Sequence, residues 1–199
     1  NALLDGAILL AQLGQEEEAI SNLKQFLEAY PLSPYLDQAR EQLAVLYEKK
    51  GRYQEAVLLY EKLAVSASGG KDPQLAAEWL LVIARLSEKT RDWPKAHRTF
   101  LAAAEALPSN DERALEALYQ AARSKELMGD LKQSQALWER LLERYAQQAT
   151  PTTRMAYAAA QAGFSLGEER LKQFMGIRLT TPLEISLEKK RQLLKESLD

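Results

Sequence analysis

A small residue recurs along this chain at intervals of about 38 positions, and this spacing limits the possible folds more than any other feature. Five alanines each stand seven residues before a turn position. The alanines are Ala7, Ala44, Ala84, Ala122 and Ala160, and the turn positions are Gly14, Gly51, Arg91, Gly129 and Gly167. Such a period is typical of helical hairpins that stack in a row, because one hairpin cannot bury its apolar face alone. The sequence therefore predicts a solenoid.

Each turn is followed by a second small residue and then by a large apolar one. Five positions after the turn stand Ala19, Ala56, Ala96 and Ser134, and four positions further on stand Leu23, Tyr60, Phe100 and Trp138. Antiparallel helices approach closely only where neither carries a bulky side chain, and the large residue fills the space beside that crossing. The fifth copy has Lys172 and Gly176 at these positions. The pattern predicts four regular hairpins and a degraded fifth.

Composition and helix-start signals favour an all-α protein. Only seven prolines and nine glycines interrupt the chain, which is rich in good helix formers. A capping residue followed by proline predicts a helix start, and a Ser with Glu three positions later predicts a capping box. These signals occur at Ser33-Pro34, Asp72-Pro73, Thr150-Pro151 and Thr181-Pro182, and at Ser109 with Glu112.

The second copy resembles the tetratricopeptide repeat (TPR) over a whole hairpin. The matching residues are Tyr30-Pro31-Leu32-Ser33-Pro34-Tyr35, Ala39, Leu43, Ala44, Tyr47, Gly51, Tyr53, Ala56 and Tyr60. The resemblance implies an all-α right-handed TPR superhelix of about five antiparallel helix hairpins, followed by a C-terminal helix. It also implies that the first helix of each hairpin lines a concave groove, and that the protein is a scaffold for other proteins. The third copy departs from the motif at Arg91 and Ser87.

On this register the solenoid spans residues 3–173. Its hairpins are expected at about 3–31, 34–66, 73–107, 110–146 and 151–173. Residues 1–2 look like a tag remnant. Residues 174–199 are expected to form a connector and a helix that caps the solenoid or links it to a further domain. The apolar stripe of that helix, Leu183, Leu187, Leu194 and Leu198, is expected to be buried.

The linker Tyr30–Tyr35 and the long period are similar to a bacterial subclass of TPR proteins. That subclass includes the lipoprotein of the outer-membrane assembly machine and the periplasmic protein of the Tol-Pal system. The similarity implies a place in a bacterial envelope complex, in the periplasm. The absence of cysteine fits a disulfide-free periplasm and also a reducing cytoplasm, so the residues themselves leave the compartment open.

The register places two arginines and two tyrosines in the groove. Arg85 and Arg123, flanked by Tyr119 and Tyr157, are expected to clamp a carboxylate of a partner while the two rings cover its apolar part. Gln161 belongs to the same row. These residues predict a protein-binding site.

Two glutamates at the rim of the same helices, Glu78 and Glu116, would complement a basic residue of the partner. The alternative is that glutamate and arginine side chains of neighbouring helices simply pair with each other. A clamp for a chain terminus at the first groove positions is not expected, because Leu4 and Ile8 occupy them.

The sequence does not indicate catalysis, a cofactor or a metal. The single histidine, His97, follows a packing residue and is expected to face away from the groove. The glycine-rich segment 68–72 lacks the first glycine of a phosphate loop, since Val65 stands there. A net charge of −2 without a basic stripe argues against nucleic acid, and the apolar runs are too short to enter a membrane. We expect a non-enzymatic protein that binds a protein or peptide. The alternatives are a structural module that self-associates through its end helices and an accessory domain of a larger protein.

Overall fold

The chain forms α-helices throughout the part that a computed structural model describes, residues 2–69, 72–178 and 183–196. Ten helices and no strand occur in these ranges, which confirms the all-α prediction. The helices are α1 Ala2–Gln12, α2 Glu16–Ala29, α3 Leu36–Lys49, α4 Tyr53–Gly69, α5 Pro73–Lys89, α6 Trp93–Ala106, α7 Glu112–Leu127, α8 Leu131–Ala146, α9 Thr153–Gly176 and α10 Leu183–Glu196. The predicted cap Thr181-Pro182, Leu198, the side chain of Leu183, Gly70 and Lys71 of the glycine-rich segment, and Asn1 of the expected tag lie outside the described residues.

Helices α1 to α8 form four hairpins whose turns lie where the spacing predicts them. Gly14, Gly51 and Gly129 have φ angles of 79°, 71° and 80°, which glycine adopts without steric penalty. Arg91 takes the same left-handed conformation with a φ of 58°. Its Cβ makes that conformation unfavourable, so the third hairpin turns at the predicted position under local backbone strain.

The predicted packing residues of these four hairpins are buried. Ala7, Ala44, Ala84 and Ala122, and the second small residues Ala19, Ala56, Ala96 and Ser134, are all 0% exposed. The large residues Leu23, Tyr60, Phe100 and Trp138 are at most 3% exposed. One apolar cluster runs from α1 into α5 and a second runs from α5 to α9, so α5 joins them into a continuous core.

The fifth predicted hairpin, 151–173, is wrong. Helix α9 continues without a turn through Gly167, and Ala160, at the predicted packing position, is exposed. The residues after Gly167 include Glu168, Glu169 and Arg170, which are good helix formers and offer no cap for a new helix. A period of small residues is therefore not sufficient for a turn.

Helix α10 packs against the second half of α9 instead. The guanidinium of Arg170 donates a hydrogen bond to the backbone carbonyl of Glu196, and the Lys190 ammonium lies 4.8 Å from the centre of the Phe174 ring. Ser186 is buried, whereas Leu187 and Leu194 are exposed. The expected burial of the leucine stripe is thus wrong for these two residues, because α10 turns a different face toward the solenoid.

Three helices begin two residues later than the capping signals predict. Asp72 accepts from the Leu75 N–H at 2.9 Å as predicted. At α7 the capping oxygen belongs to Asp111 and not to Ser109, and at α9 it belongs to Thr152 and not to Thr150. At α3 the Ser33 hydroxyl instead caps a tight turn by accepting from the Tyr35 N–H at 3.2 Å.

Candidate functional site

Three cavities lie side by side along the first helices of the hairpins. The Trp79 cavity, about 570 Å³, lies between α3, α4 and α5. The Arg85 cavity, about 170 Å³, lies between α5 and α7, and the Tyr157 cavity, about 410 Å³, lies between α7 and α9. Glu116 and Gln120 line both of the latter, which therefore adjoin each other. We call the surface formed by the three cavities the groove.

Arg85 and Arg123 extend from neighbouring first helices, and both are exposed. Arg85 lines its cavity, whereas Arg123 lies one turn beyond Tyr119 on α7 and outside the cavity walls. Neither guanidinium has a hydrogen bond or an ion pair within the described ranges. Both donors therefore remain available to an anionic group.

Glu88 lines the Arg85 cavity together with Arg85. Burial raises the pKa of this carboxyl above its usual value, and the positive charges of Arg123 and Arg85 oppose that rise. The two arginine charges thus act on this part of the groove without being neutralised by a direct ion pair.

The Tyr157 cavity brings four of the predicted site residues together. Tyr119, Tyr157, Gln161 and Glu116 all line it. The side chain of Gln161 donates a hydrogen bond of 2.7 Å to the Tyr157 hydroxyl, which fixes a ring that is 65% exposed. Tyr119 is half-buried against the second core cluster. The cavity therefore has an aromatic wall that a ligand can contact.

The two predicted rim glutamates are already paired. A guanidinium nitrogen of Arg113 lies 3.0 Å from Glu78 Oε1, and Arg154 lies 3.6 Å from Glu116 Oε2. These pairs are partly exposed and each contributes roughly 0 to 1 kcal/mol. Pairing between neighbouring helices therefore accounts for the two glutamates. Arg85 and Arg123 have no such partner among the described residues.

In the Arg85 and Tyr157 cavities the sequence prediction missed four charged or amide side chains: Glu88, Arg113, Gln120 and Arg154. All four stand three or four positions from predicted residues of the same helix, so the helical period could have identified them. Gln120 is of most interest because its Oε1 is buried without a hydrogen-bond partner among the described residues. A buried acceptor of this kind usually has a donor.

Comparison with known families covers several of these hairpins. One model described as a tetratricopeptide repeat matches residues 39–74, and a second matches residues 1–33 and 116–147, together just over half of the chain. The chain belongs to the tetratricopeptide-repeat family. TPR repeats generally mediate interactions between proteins.

Solved TPR structures share the fold over nearly the whole chain. A protein of kinesin light chain type from Podosopora anserina, with nearly identical TPR-like repeats, has a TM-score of 0.56 and 17% identity, and the match covers 98% of this chain and 95% of that one. BtubC (BKLC) from P. vanneervenii has a TM-score of 0.57 and 17% identity, with coverages of 96% and 77%. No curated protein matches the chain. At this identity the structures show the fold and not a shared partner.

The histidine of this TPR protein ties two hairpins together. His97 Nδ1 lies 3.0 Å from the backbone carbonyl oxygen of Ala121, so the ring bridges α6 and α7 away from the groove residues. Among the described residues, no group of three or more His, Cys, Asp or Glu side chains could hold a metal ion. No described helix is both long and apolar enough to cross a membrane.

Proposed function

We propose that this TPR protein is a scaffold that holds an extended peptide of a partner protein in the groove. In this arrangement Arg85 and Arg123 bind a carboxylate of the peptide, and Tyr119 and Tyr157 contact its apolar side chains. The observation that carries the proposal is a pair of arginines that have no partner among the described residues and that stand beside two adjoining cavities.

The energetics favour these arginines over the glutamates as binding residues. A ligand that binds Glu78 or Glu116 must compete with Arg113 or Arg154. A carboxylate that approaches Arg85 or Arg123 displaces no ion pair, and planar guanidinium groups bind carboxylates with two parallel hydrogen bonds.

We place the scaffold in a bacterial envelope complex, in the periplasm. The linker Tyr30–Tyr35 and the long repeat period support this setting through their similarity to envelope TPR proteins. Fractionation of cells that carry the tagged full-length protein tests it, and recovery in the cytoplasmic fraction alone would contradict it.

A peptide-display selection against the immobilised protein tests the binding function. The strongest binder is labelled with fluorescein and titrated into the wild type, Arg85→Gln and Arg123→Gln while polarisation is measured. Each substitution is expected to weaken binding at least tenfold, because a hydrogen bond to a charged group contributes about 1.5–3 kcal/mol. Each variant should keep the wild-type helical signal, since both side chains are exposed.

Arg98→Gln is the matched control, because Arg98 is exposed on the second helix α6 and lines none of the three cavities. It should bind the labelled peptide as the wild type does. A selection without binders, or equal affinity of all four proteins, would refute a groove function.

A second candidate function is self-association through the end of the solenoid. Phe164, Leu171 and Met175 of α9 are 68%, 55% and 73% exposed and share one helix face. Exposed apolar stripes of this kind often mark protein interfaces.

If a second copy covers this face, light scattering at rising protein concentration will show a dimer that Phe164→Glu abolishes. Leu32→Glu, at a linker position that is 96% exposed, should leave the mass unchanged. A monomer at all concentrations would exclude this function.

A further inference from the structure

The groove differs in charge between its two ends. The Trp79 cavity is lined by Asp37, Glu41, Asp72 and Glu78, and none of its described lining residues is cationic. The Arg85 and Tyr157 cavities are lined by three arginines, Arg85, Arg113 and Arg154, and by two glutamates, Glu88 and Glu116. Arg123 lies beside them on α7, so positive charge is in excess at this end. A ligand that lies along the groove therefore passes from an acidic to a basic environment.

The carboxylates of the acidic end differ in their availability. Asp37 lies 2.7 Å from a guanidinium nitrogen of Arg40, Asp72 caps α5, and Glu78 pairs with Arg113. Glu41 forms no hydrogen bond or ion pair within the described part of the chain. Its side chain is half-buried on the cavity wall, where a charge interacts more strongly than in open water.

An aromatic ring completes this end of the groove. Trp79 lines the cavity, and Tyr60 stacks on it with ring centres 5.3 Å apart and planes inclined by 25°. The Tyr60 hydroxyl in turn donates a hydrogen bond of 2.5 Å to Glu48. This bond fixes the Tyr60 ring, and the stacked Tyr60 ring limits the movement of the indole. A fixed indole beside a free carboxylate suits a cation with an aliphatic stem, because the ring attracts the charge and covers the methylene groups.

We infer that the Trp79 cavity binds a lysine or arginine side chain of the same peptide whose carboxylate binds Arg85 and Arg123. The inference rests on the proposed function, and it makes the partner segment dipolar, with a basic residue at one end and an acidic residue at the other. Complementary charges at two separated points fix the register and direction of the peptide, and a segment of one charge sign is rejected at the opposite end.

The test uses a synthetic peptide of three lysines, a six-residue glycine-serine spacer and three glutamates. Its binding is followed by NMR through the three tryptophan indole N–H signals. The Trp79 signal should move, whereas Trp93 on α6 and the buried Trp138 should not. Glu41→Gln should weaken binding about tenfold, and Glu143→Gln, an equal charge change on α8 outside the groove, should not.

A second peptide with glutamine in place of each lysine separates this inference from the proposed function. It should bind the wild type about tenfold more weakly than the first peptide, and Glu41→Gln should weaken it no further. If it binds as tightly as the first peptide and Arg123→Gln abolishes that binding, the carboxylate site stands and the cation site is refuted. If the Trp79 signal does not move with the lysine peptide, the cation site is also refuted. If neither peptide binds, both proposals fail.

Discussion

Replacing Phe100 with alanine is expected to lower the free energy of unfolding by about 3–5 kcal/mol. The ring is 2% exposed within the second core cluster, four positions after the close helix crossing at Ala96. Truncation removes apolar contacts and leaves a cavity that the stiff alanine-rich crossing cannot fill. The loss is a large fraction of the roughly 5–15 kcal/mol by which domains are usually stable, so the variant should unfold at a clearly lower urea concentration than the wild type.

Phe164→Ala is the matched control for this variant, because the same ring is removed from a side chain that is 68% exposed. Urea denaturation followed by circular dichroism gives both values, and the control should lie within about 0.5 kcal/mol of the wild type. Equal losses for Phe100 and Phe164 would contradict the packing described for the third hairpin. Because Phe100 also lines the Arg85 cavity, its loss should weaken peptide binding as well.

Enlarging Ala122 to leucine is expected to cost about 2–3 kcal/mol of unfolding free energy. Ala122 is 0% exposed at the crossing of the fourth hairpin, where the helices approach because both side chains are small. Three extra carbon atoms can be accommodated only if the helices move apart or neighbouring side chains leave their preferred rotamers.

Ala160→Leu is the corresponding change at the same repeat position of α9, where the alanine is exposed. It should leave stability within about 0.5 kcal/mol of the wild type. Thermal and urea melts of the two variants compare them directly. A similar loss at both positions would mean that α9 follows the packing register of the four regular hairpins, against the structure.

The sequence was informative wherever the same chemistry repeats in each hairpin. The buried alanines and the left-handed turn residues recur four times, so each copy supports the others, and even Arg91 could be assigned as a turn against its own propensity. The fifth copy retained one alanine and one glycine without the second small residue, and helix propensity after Gly167 prevailed. Cap positions were displaced because Asp111 and Thr152 stood nearer the helices than the predicted serine and threonine.

The candidate site was predictable as a row of positions but not as a set of contacts. The helical period places Arg85 and Arg123 on the groove side. Whether a side chain finds an ion-pair partner, as Glu78 does in Arg113 and these two arginines do not within the described residues, depends on contacts between two hairpins. Likewise, the suitability of Glu41 for a cation depends on Trp79, which lines the same cavity from a different hairpin. Such long-range pairings have no signature in local spacing.

Helix packing in this protein is concentrated between elements adjacent in sequence, as from α4 to α5 and from α6 to α7. The free energy of folding therefore comes mainly from contacts between neighbouring helices. One end of the solenoid can unfold while the other stays folded. A peptide that contacts α3, α5, α7 and α9 at the same time would couple hairpins that otherwise contact mainly their neighbours. When the peptide is bound, the hairpins would unfold together. Occupancy of the groove would therefore increase the cooperativity of unfolding as well as the stability.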